Sequence, residues 1–208
     1  MIAARQIFLG RGGGAKLPYD AEVEYLESTG TQWIDTGIIA SATCDQIIDA
    51  AFMQNYTGYA TALFGAGNPL SPPANRICTQ YGEWTWWNGG SFKRSNVPIV
   101  AGEHHECAIG KNGFYLDGNL IASNAPSVPD GTSILYGYYN IRDKITDGLV
   151  KARIKLFRIV DDGVLVRDFI PVRFTNELGQ SEGAMYDSVS KQLFRNQGTG
   201  AFTYGGDK

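Results

Sequence analysis

The sequence has few charges, no long apolar run and no dense block of positive charge. Charged residues make up 19% of its 208 residues, and the formal net charge is −3. Neutralising phosphates requires clustered Lys and Arg, so the composition argues against a nucleic-acid partner. No stretch approaches the ~20 apolar residues that span a bilayer. The apolar run at residues 7–9 is also too short for the core of a secretory signal peptide. We therefore expect no nucleic-acid partner and no membrane span, and no signal peptide is visible.

Cysteine and histidine are also scarce. The three cysteines are an odd number, are widely spaced and form no C-x-x-C motif, so neither a disulfide framework nor a zinc site is expected. One disulfide pair stays open, and the simpler interpretation is that the thiols are small buried apolar groups. His104 and His105 are neighbours, and neighbours on a strand point to opposite faces, so at most one can join a given site.

No metal or other cofactor is predicted with a defined ligand set. Calcium remains a hypothesis, because it favours clustered oxygen ligands. Asp143, Asp147 or the Asp161-Asp162-Gly163 turn could supply such oxygens. The twelve-residue loop of the common calcium motif is missing, so we predict no metal residue.

The sequence does contain 26 glycines, 11 tyrosines and many short alternating segments. Strands are predicted at 45–53, 59–65, 133–140, 149–160 and 164–174, hairpins at 76–88 and 105–123, and a Pro-rich loop at 66–75. Asn112-Gly113, Asp117-Gly118 and Asp162-Gly163 are strong hairpin-turn dipeptides. Regularly spaced short strands without an amphipathic helix predict an all-β sandwich. The Gly-rich residues 1–20 are predicted to be a flexible arm, which could dock on a partner protein.

Several segments resemble a known superfamily. EYLESTGTQWIDTGI (24–38), FYLDGNLIA (114–122), RIKLFRIVDDGVLVRDFIPVR (153–173) and GAMYDSVSKQLFRNQGTGAFTYG (183–205) are similar to concanavalin A-like, laminin-G-type domains of gut bacterial and phage proteins. The resemblance implies one two-sheet antiparallel jelly roll over residues 21–208. It also implies an extracellular or virion-associated protein that recognises a glycan or glycoprotein, such as mucin or a cell-surface sugar.

The aromatic strand at 84–87 is the first candidate site. Trp84 and Trp86 share one face of that strand, and Trp87 takes the other. Aromatic planes stack on the apolar faces of sugar rings, so Trp84, Trp86 and Tyr138 form a hypothetical lectin-like site. Polar partners are also needed in such a site, and the candidates are Asn88, Asn140 and Arg142. The alternative is that these aromatic side chains fill the core of the sandwich.

Two further hypotheses come from other classes of protein. Asp35-Thr36-Gly37 is similar to the catalytic loop of aspartic proteases, and Asp35 would be the catalytic residue of a hydrolase that degrades mucin glycoprotein. The protease dyad needs two such loops, and this chain has one, so a structural turn is the alternative. A glycosidase needs two carboxylates across a cleft, and no strand carries the expected acidic pattern. The remaining hypothesis is a structural virion domain of a tail or head fibre.

Overall fold

The protein is a β-sandwich of two sheets. A computed structural model describes residues 17–57, 61–70, 73–88, 91–123 and 125–208, and these residues contain strands but no helix. The first sheet contains β1 (Ala21–Glu22), β2 (Leu26–Thr29), β4 (Cys44–Phe52), β9 (His104–Gly110), β10 (Gly113–Leu116), β11 (Asn119–Ala122), β15 (Lys151–Asp161), β16 (Val164–Thr175), β17 (Ser181–Asp187), β18 (Gln192–Phe194) and β19 (Thr203–Tyr204). The second contains β3 (Ile34–Ile39), β5 (Ala62–Gly67), β6 (Ala74–Gln80), β7 (Glu83–Asn88), β8 (Ser91–Pro98), β12 (Thr132–Leu135), β13 (Tyr138–Asn140) and β14 (Ile145–Asp147).

The first sheet runs β11-β10-β9-β4-β15-β16-β17-β18, and β2 joins β15 on one side and β19 on the other. The second sheet runs β14-β13-β5-β6-β7-β8, and β12 links β3 to β5. All these pairs are antiparallel except β13 with β5, which is parallel. The predicted all-β, two-sheet fold is confirmed, with this one parallel exception.

The predicted hairpins form where the turn chemistry indicates. Asp117 and Asp162 adopt positive φ, each followed by a glycine that also does so. Two consecutive residues with positive φ are the requirement of the tight hairpin turns that Asp-Gly favours. The segment 105–123 accordingly becomes the three-stranded meander β9-β10-β11, and the Asp162-Gly163 turn connects β15 to β16.

The predicted strand at 133–140 is interrupted. Tyr136 has φ +65°, which ends β12, and β13 resumes at Tyr138. Simple alternation would place Tyr136 and Tyr138 on one face. Instead Tyr136 enters the main core, where its hydroxyl donates to the Leu26 carbonyl at 2.7 Å, and Tyr138 lies in a separate cluster on the opposite face. The burial of Tyr136 raises the pKa of its phenol well above the usual value.

Other strand boundaries also differ from the predictions. β5 continues to Gly67, and β6 begins at Ala74, so the Pro-rich loop is shorter than the predicted 66–75. β8 and β14 were missed, because SFKRSNVP and ITD lack a strong alternating pattern. The start of the predicted strand at 59–65 lies partly outside the described residues.

The main core fills the space between the two sheets. Phe64 of the second sheet contacts Phe157 of the first with ring centroids 5.0 Å apart, and both side chains are fully buried. Cys44, Cys78 and Cys107 are buried and free, which confirms the simpler interpretation of the thiols. Burial raises the pKa of Cys44 to about 12 and that of Cys78 to about 11.

The N-terminal segment meets the first sheet earlier than predicted. Tyr19 packs edge-on against Tyr186 at 4.9 Å, and the Asp20 N–H donates to the Arg173 carbonyl at 2.9 Å. These two residues of the predicted 1–20 arm therefore belong to the sandwich surface. Residues 1–16 of the predicted arm lie outside the described residues.

Candidate functional site

The two tryptophans predicted to stack on a sugar lie between the sheets. Trp84 is 1% exposed and packs against Phe52 at 4.7 Å. Trp86 is 0% exposed, and its indole N–H donates to Asn75 Oδ1 at 2.8 Å. They do share one face, but it is the face that the other sheet covers. We assign both indoles to the core rather than to a ligand site, which corrects the prediction.

Tyr138 occupies the outer face of the second sheet, in a small cluster with Trp87. The Arg76 guanidinium lies over the Tyr138 ring, 3.9 Å from its centroid, in a cation–π contact. Arg76 is 2% exposed, and its Nε and Nη1 have no hydrogen-bond partner among the described residues. Tyr138 itself is only 3% exposed. Its ring is therefore covered by protein and presents no open platform for a sugar.

The predicted polar partners hold loops in place. Asn88 donates from Nδ2 to the Ala125 carbonyl at 2.8 Å and accepts at Oδ1 from the Ser127 N–H at 2.6 Å. Asn140 is likewise used at both ends, since Nδ2 donates to Asp143 and Oδ1 accepts from the Arg142 N–H. The Arg142 side chain is exposed. The structure thus brings Tyr138, Asn140 and Arg142 together, but the two amides are satisfied internally.

Asp35 has the geometry of a turn-forming residue. Its carboxylate accepts the Gly37 N–H at 2.8 Å, and Thr36 donates its hydroxyl to the Ser133 carbonyl at 2.8 Å. The Asp35 carboxylate therefore orders its own turn.

The candidate calcium ligands are engaged with protein groups. Asp147 accepts from the Tyr138 hydroxyl at 3.0 Å, and Asp161 accepts from Ser41 at 2.6 Å and Thr43 at 2.7 Å. These bonds lower the pKa of Asp161. Across the described ranges, no group of three or more His, Cys, Asp or Glu side chains is arranged to hold a metal ion.

An open depression lies elsewhere, on the outer face of the first sheet. Its volume is about 620 Å³, and we call it the Tyr25 groove. It is lined by Glu24, Tyr25, Asp49, His104, Arg153, Lys155, Leu156 and Lys208. The groove combines a phenol ring and an apolar side chain with carboxylates, cations and an imidazole.

A β-bulge in β15 builds the centre of this groove. Ile154 pairs with Ala50 of β4, and Leu156 pairs with Asp49, so Lys155 is an extra residue with no partner opposite it. Ala152 and Ile154 are buried before the bulge, and Phe157 and Ile159 are buried after it. The alternation of inward-facing and outward-facing side chains therefore shifts by one residue at the bulge, and Lys155 and Leu156 both face outward. Bulges that re-aim side chains are common beside functional sites.

Neighbouring strands fix the groove side chains in place. Glu27, Arg153, Ala51 and His104 form one cross-strand row over β2, β15, β4 and β9. Arg153 Nε donates to Glu27, and the Arg153 guanidinium lies 4.3 Å from the Tyr25 ring centroid. His104 Nδ1 is 3.0 Å from Asp49 Oδ1. His105 points to the other side and contacts Asp117 at 2.6 Å, so the predicted opposite orientation of the two histidines is confirmed.

Sequence reasoning missed this groove for a specific reason. Its residues are scattered over five segments. In addition, the alternation of buried and exposed residues along β15 looks uninterrupted unless its shift by one residue at 155–156 is noticed. The run KARIKLFRIV contains that signal, because Ala152 and Ile154 are two residues apart while Ile154 and Phe157 are three apart. No single-segment motif identifies the partners Tyr25, Asp49 and His104.

The chain is thus a β-sandwich with a polar and aromatic groove on one outer face. No protein-family model matches the chain, and no curated protein is significantly similar to it in sequence. In the part of the chain that the structure describes, no helix is long and apolar enough to cross a membrane.

Proposed function

We propose that this protein is a carbohydrate-binding module and that the Tyr25 groove is its glycan site. The observation that carries the proposal is the bulge at Lys155, which opens a groove beside a partly exposed aromatic ring and rigidly paired polar side chains. A sugar presents apolar C–H faces and hydroxyls that both donate and accept hydrogen bonds. Ligand sites meet such needs with an apolar surface and a few fixed polar groups.

Each part of the groove has a role in this proposal. The Tyr25 ring and Leu156 contact the apolar face of a sugar ring, and the Asp49 carboxylate accepts from hydroxyls. Because Asp49 contacts His104 and Glu27 contacts Arg153, these long side chains are ordered before a ligand arrives. Preorganisation reduces the entropic cost of binding.

The setting proposed with this function is that of concanavalin A-like jelly-roll domains. Such modules act outside the cell or on a virion, where the ligand is a mucin-type or other cell-surface glycan. The two-sheet architecture is compatible with that family, and the resemblance in residues 24–38 and 153–205 supports it. Fold alone leaves function open, so the groove carries the argument.

A glycan array followed by calorimetric titration tests the proposal. We expect Tyr25→Ala to weaken binding at least tenfold, which corresponds to about 1.4 kcal/mol of lost stacking and ordering. Tyr81→Ala is the matched control, because Tyr81 is 67% exposed and also has an arginine, Arg94, 5.5 Å from its ring centroid. Binding to no glycan on the array, or equal loss in both variants, contradicts the proposal.

A further inference from the structure

Two cationic side chains of the groove, Arg153 and Lys155, lie in its middle; acidic groups lie at its sides, and a third cation, Lys208, lies at the side near Glu24. Arg153 and Lys155 lie on β15, which is flanked in the sheet by β2 and β4. Asp49 belongs to β4, and Glu24 precedes β2. A ligand across the groove therefore meets positive charge centrally and carboxylates on either side.

The central cations keep free donors. Lys155 is partly exposed and takes part in no hydrogen bond or ion pair among the described residues. Arg153 uses Nε for Glu27, and neither of its Nη atoms has a hydrogen bond to a described residue. Its guanidinium is held over Tyr25, so these donors are fixed beside the aromatic surface.

The two cations lie on the same face of β15, at and beside the bulge. Arg153 and Lys155 face outward on one strand, and the additional residue leaves Lys155 without a cross-strand neighbour to cover it. The Asp49 carboxylate at one side already contacts His104. Charge-assisted hydrogen bonds from Arg or Lys to an anion are stronger than neutral ones.

We infer that the glycan bound in the Tyr25 groove carries an anionic group, a carboxylate or a sulfate, which lies between Arg153 and Lys155. This inference rests on the proposed function. The hydroxyls of the same sugar or of its neighbours then face Asp49 and Glu24 on the two sides.

The experiment compares matched pairs of glycans with the full chain. The pairs are a uronic-acid polymer with its carboxyl-reduced form, a sialylated chain with its desialylated form, and a sulfated chain with its desulfated form. We expect at least a fivefold preference for the acidic member of one pair, and a loss of that preference between 0.05 and 0.3 M NaCl (about a 2.4-fold shorter Debye length). The pair that responds separates carboxylate from sulfate.

Lys155→Met is the diagnostic variant, and Lys151→Met is its control. Lys151 lies on the same strand and is exposed, but it does not line the groove. Each change removes one positive charge from the protein, and only Lys155→Met removes it from the groove. We expect Lys155→Met to abolish the acidic preference and Lys151→Met to retain it. Equal binding of acidic and neutral partners, or equal losses in the two variants, overturns the inference while glycan binding itself stands. Absence of binding to every glycan overturns the proposed function.

Discussion

Asp187 is a buried carboxylate that organises a turn. Its Oδ1 accepts the Asp168 N–H at 2.8 Å and the Val189 N–H at 3.1 Å, and its Oδ2 accepts the Ser190 N–H at 3.1 Å. Arg167 Nε lies 3.6 Å from Asp187 Oδ2. A carboxylate that collects several backbone donors is stabilised in its charged form. It therefore closes the connection from β17 to β18.

We predict that Asp187→Asn destabilises the protein by roughly 2–4 kcal/mol at pH 7, because an amide replaces an acceptor that backbone donors and Arg167 face. Urea unfolding measures the change. Asp130→Asn is the control, since Asp130 is exposed and has no partner in the described chain. A difference below about 0.5 kcal/mol between the two variants would mean that Asp187 has no special role.

The same carboxylate gives a pH dependence. Burial raises the pKa of Asp187, but the hydrogen bonds from Asp168, Ser190 and Val189 outweigh it, and the pKa lies below the ordinary 3.8. A depressed folded-state pKa contributes stability that is present above pH 3.8 and is lost as the pH falls below it. Melting temperatures between pH 6 and 2.5 should fall less steeply in Asp187→Asn than in the unmodified protein.

At the scale of the strand, β5 depends on a glycine, Gly65, where it pairs closely with β6. Gly65 has φ +134°, and a Cβ added there would lie 2.6 Å from Arg76 Cα and still closer to Arg76 Cβ and the Asn75 carbonyl oxygen. A side chain at this position would push β6 away from β5. The strand pairing therefore requires a residue without a side chain.

We predict that Gly65→Ala destabilises the fold by about 2–4 kcal/mol, from overpacking and backbone strain combined. Gly102→Ala separates the two contributions, because Gly102 has φ +83° but nothing within 4 Å of an added Cβ. It should cost only about 1 kcal/mol. Chemical denaturation of both variants checks this, and similar losses would show that crowding against β6 is unimportant.

The aromatic strand β7 shows what the alternation of side chains along a strand predicts and what it does not. The sequence correctly predicts that Trp84 and Trp86 share a face and that Trp87 takes the other. Both faces of β7 are buried, however, because Trp87 packs beside Phe92 at 4.3 Å in the outer cluster. Period 2 identifies residues on one face, and it does not say which surface will cover that face.

For the molecule as a whole, the core and the Tyr25 groove are separate. Trp86 lies between the sheets and approaches Phe114 at 6.4 Å, whereas the groove is on the outer face of the first sheet. Stability and ligand binding should therefore respond to different substitutions. This separation tests the assignment of the tryptophans to the core.

We predict that Trp86→Ala lowers the free energy of unfolding by about 3–5 kcal/mol, as expected for a large buried aromatic residue. Glycan affinity of the folded fraction should stay within about twofold of the parent, unlike that of Tyr25→Ala. Trp86→Phe provides a milder variant if Trp86→Ala does not fold. Unfolding curves and glycan titrations on the same samples measure both effects. A loss of glycan affinity without a loss of stability in Trp86→Ala would contradict the assignment of Trp86 to the core.

The sequence by itself determined the all-β class, the hairpins at Asp117-Gly118 and Asp162-Gly163, and the faces that residues share within a strand. These features depend on local dihedral preferences and side-chain alternation, which a single segment contains. Only the tertiary structure decided that the Trp84 and Trp86 face is sealed, that Tyr136 and Tyr138 point apart, and that the bulge at Lys155 opens a groove. Those outcomes depend on which sheet covers which face and on pairing between distant strands, and local sequence does not specify either.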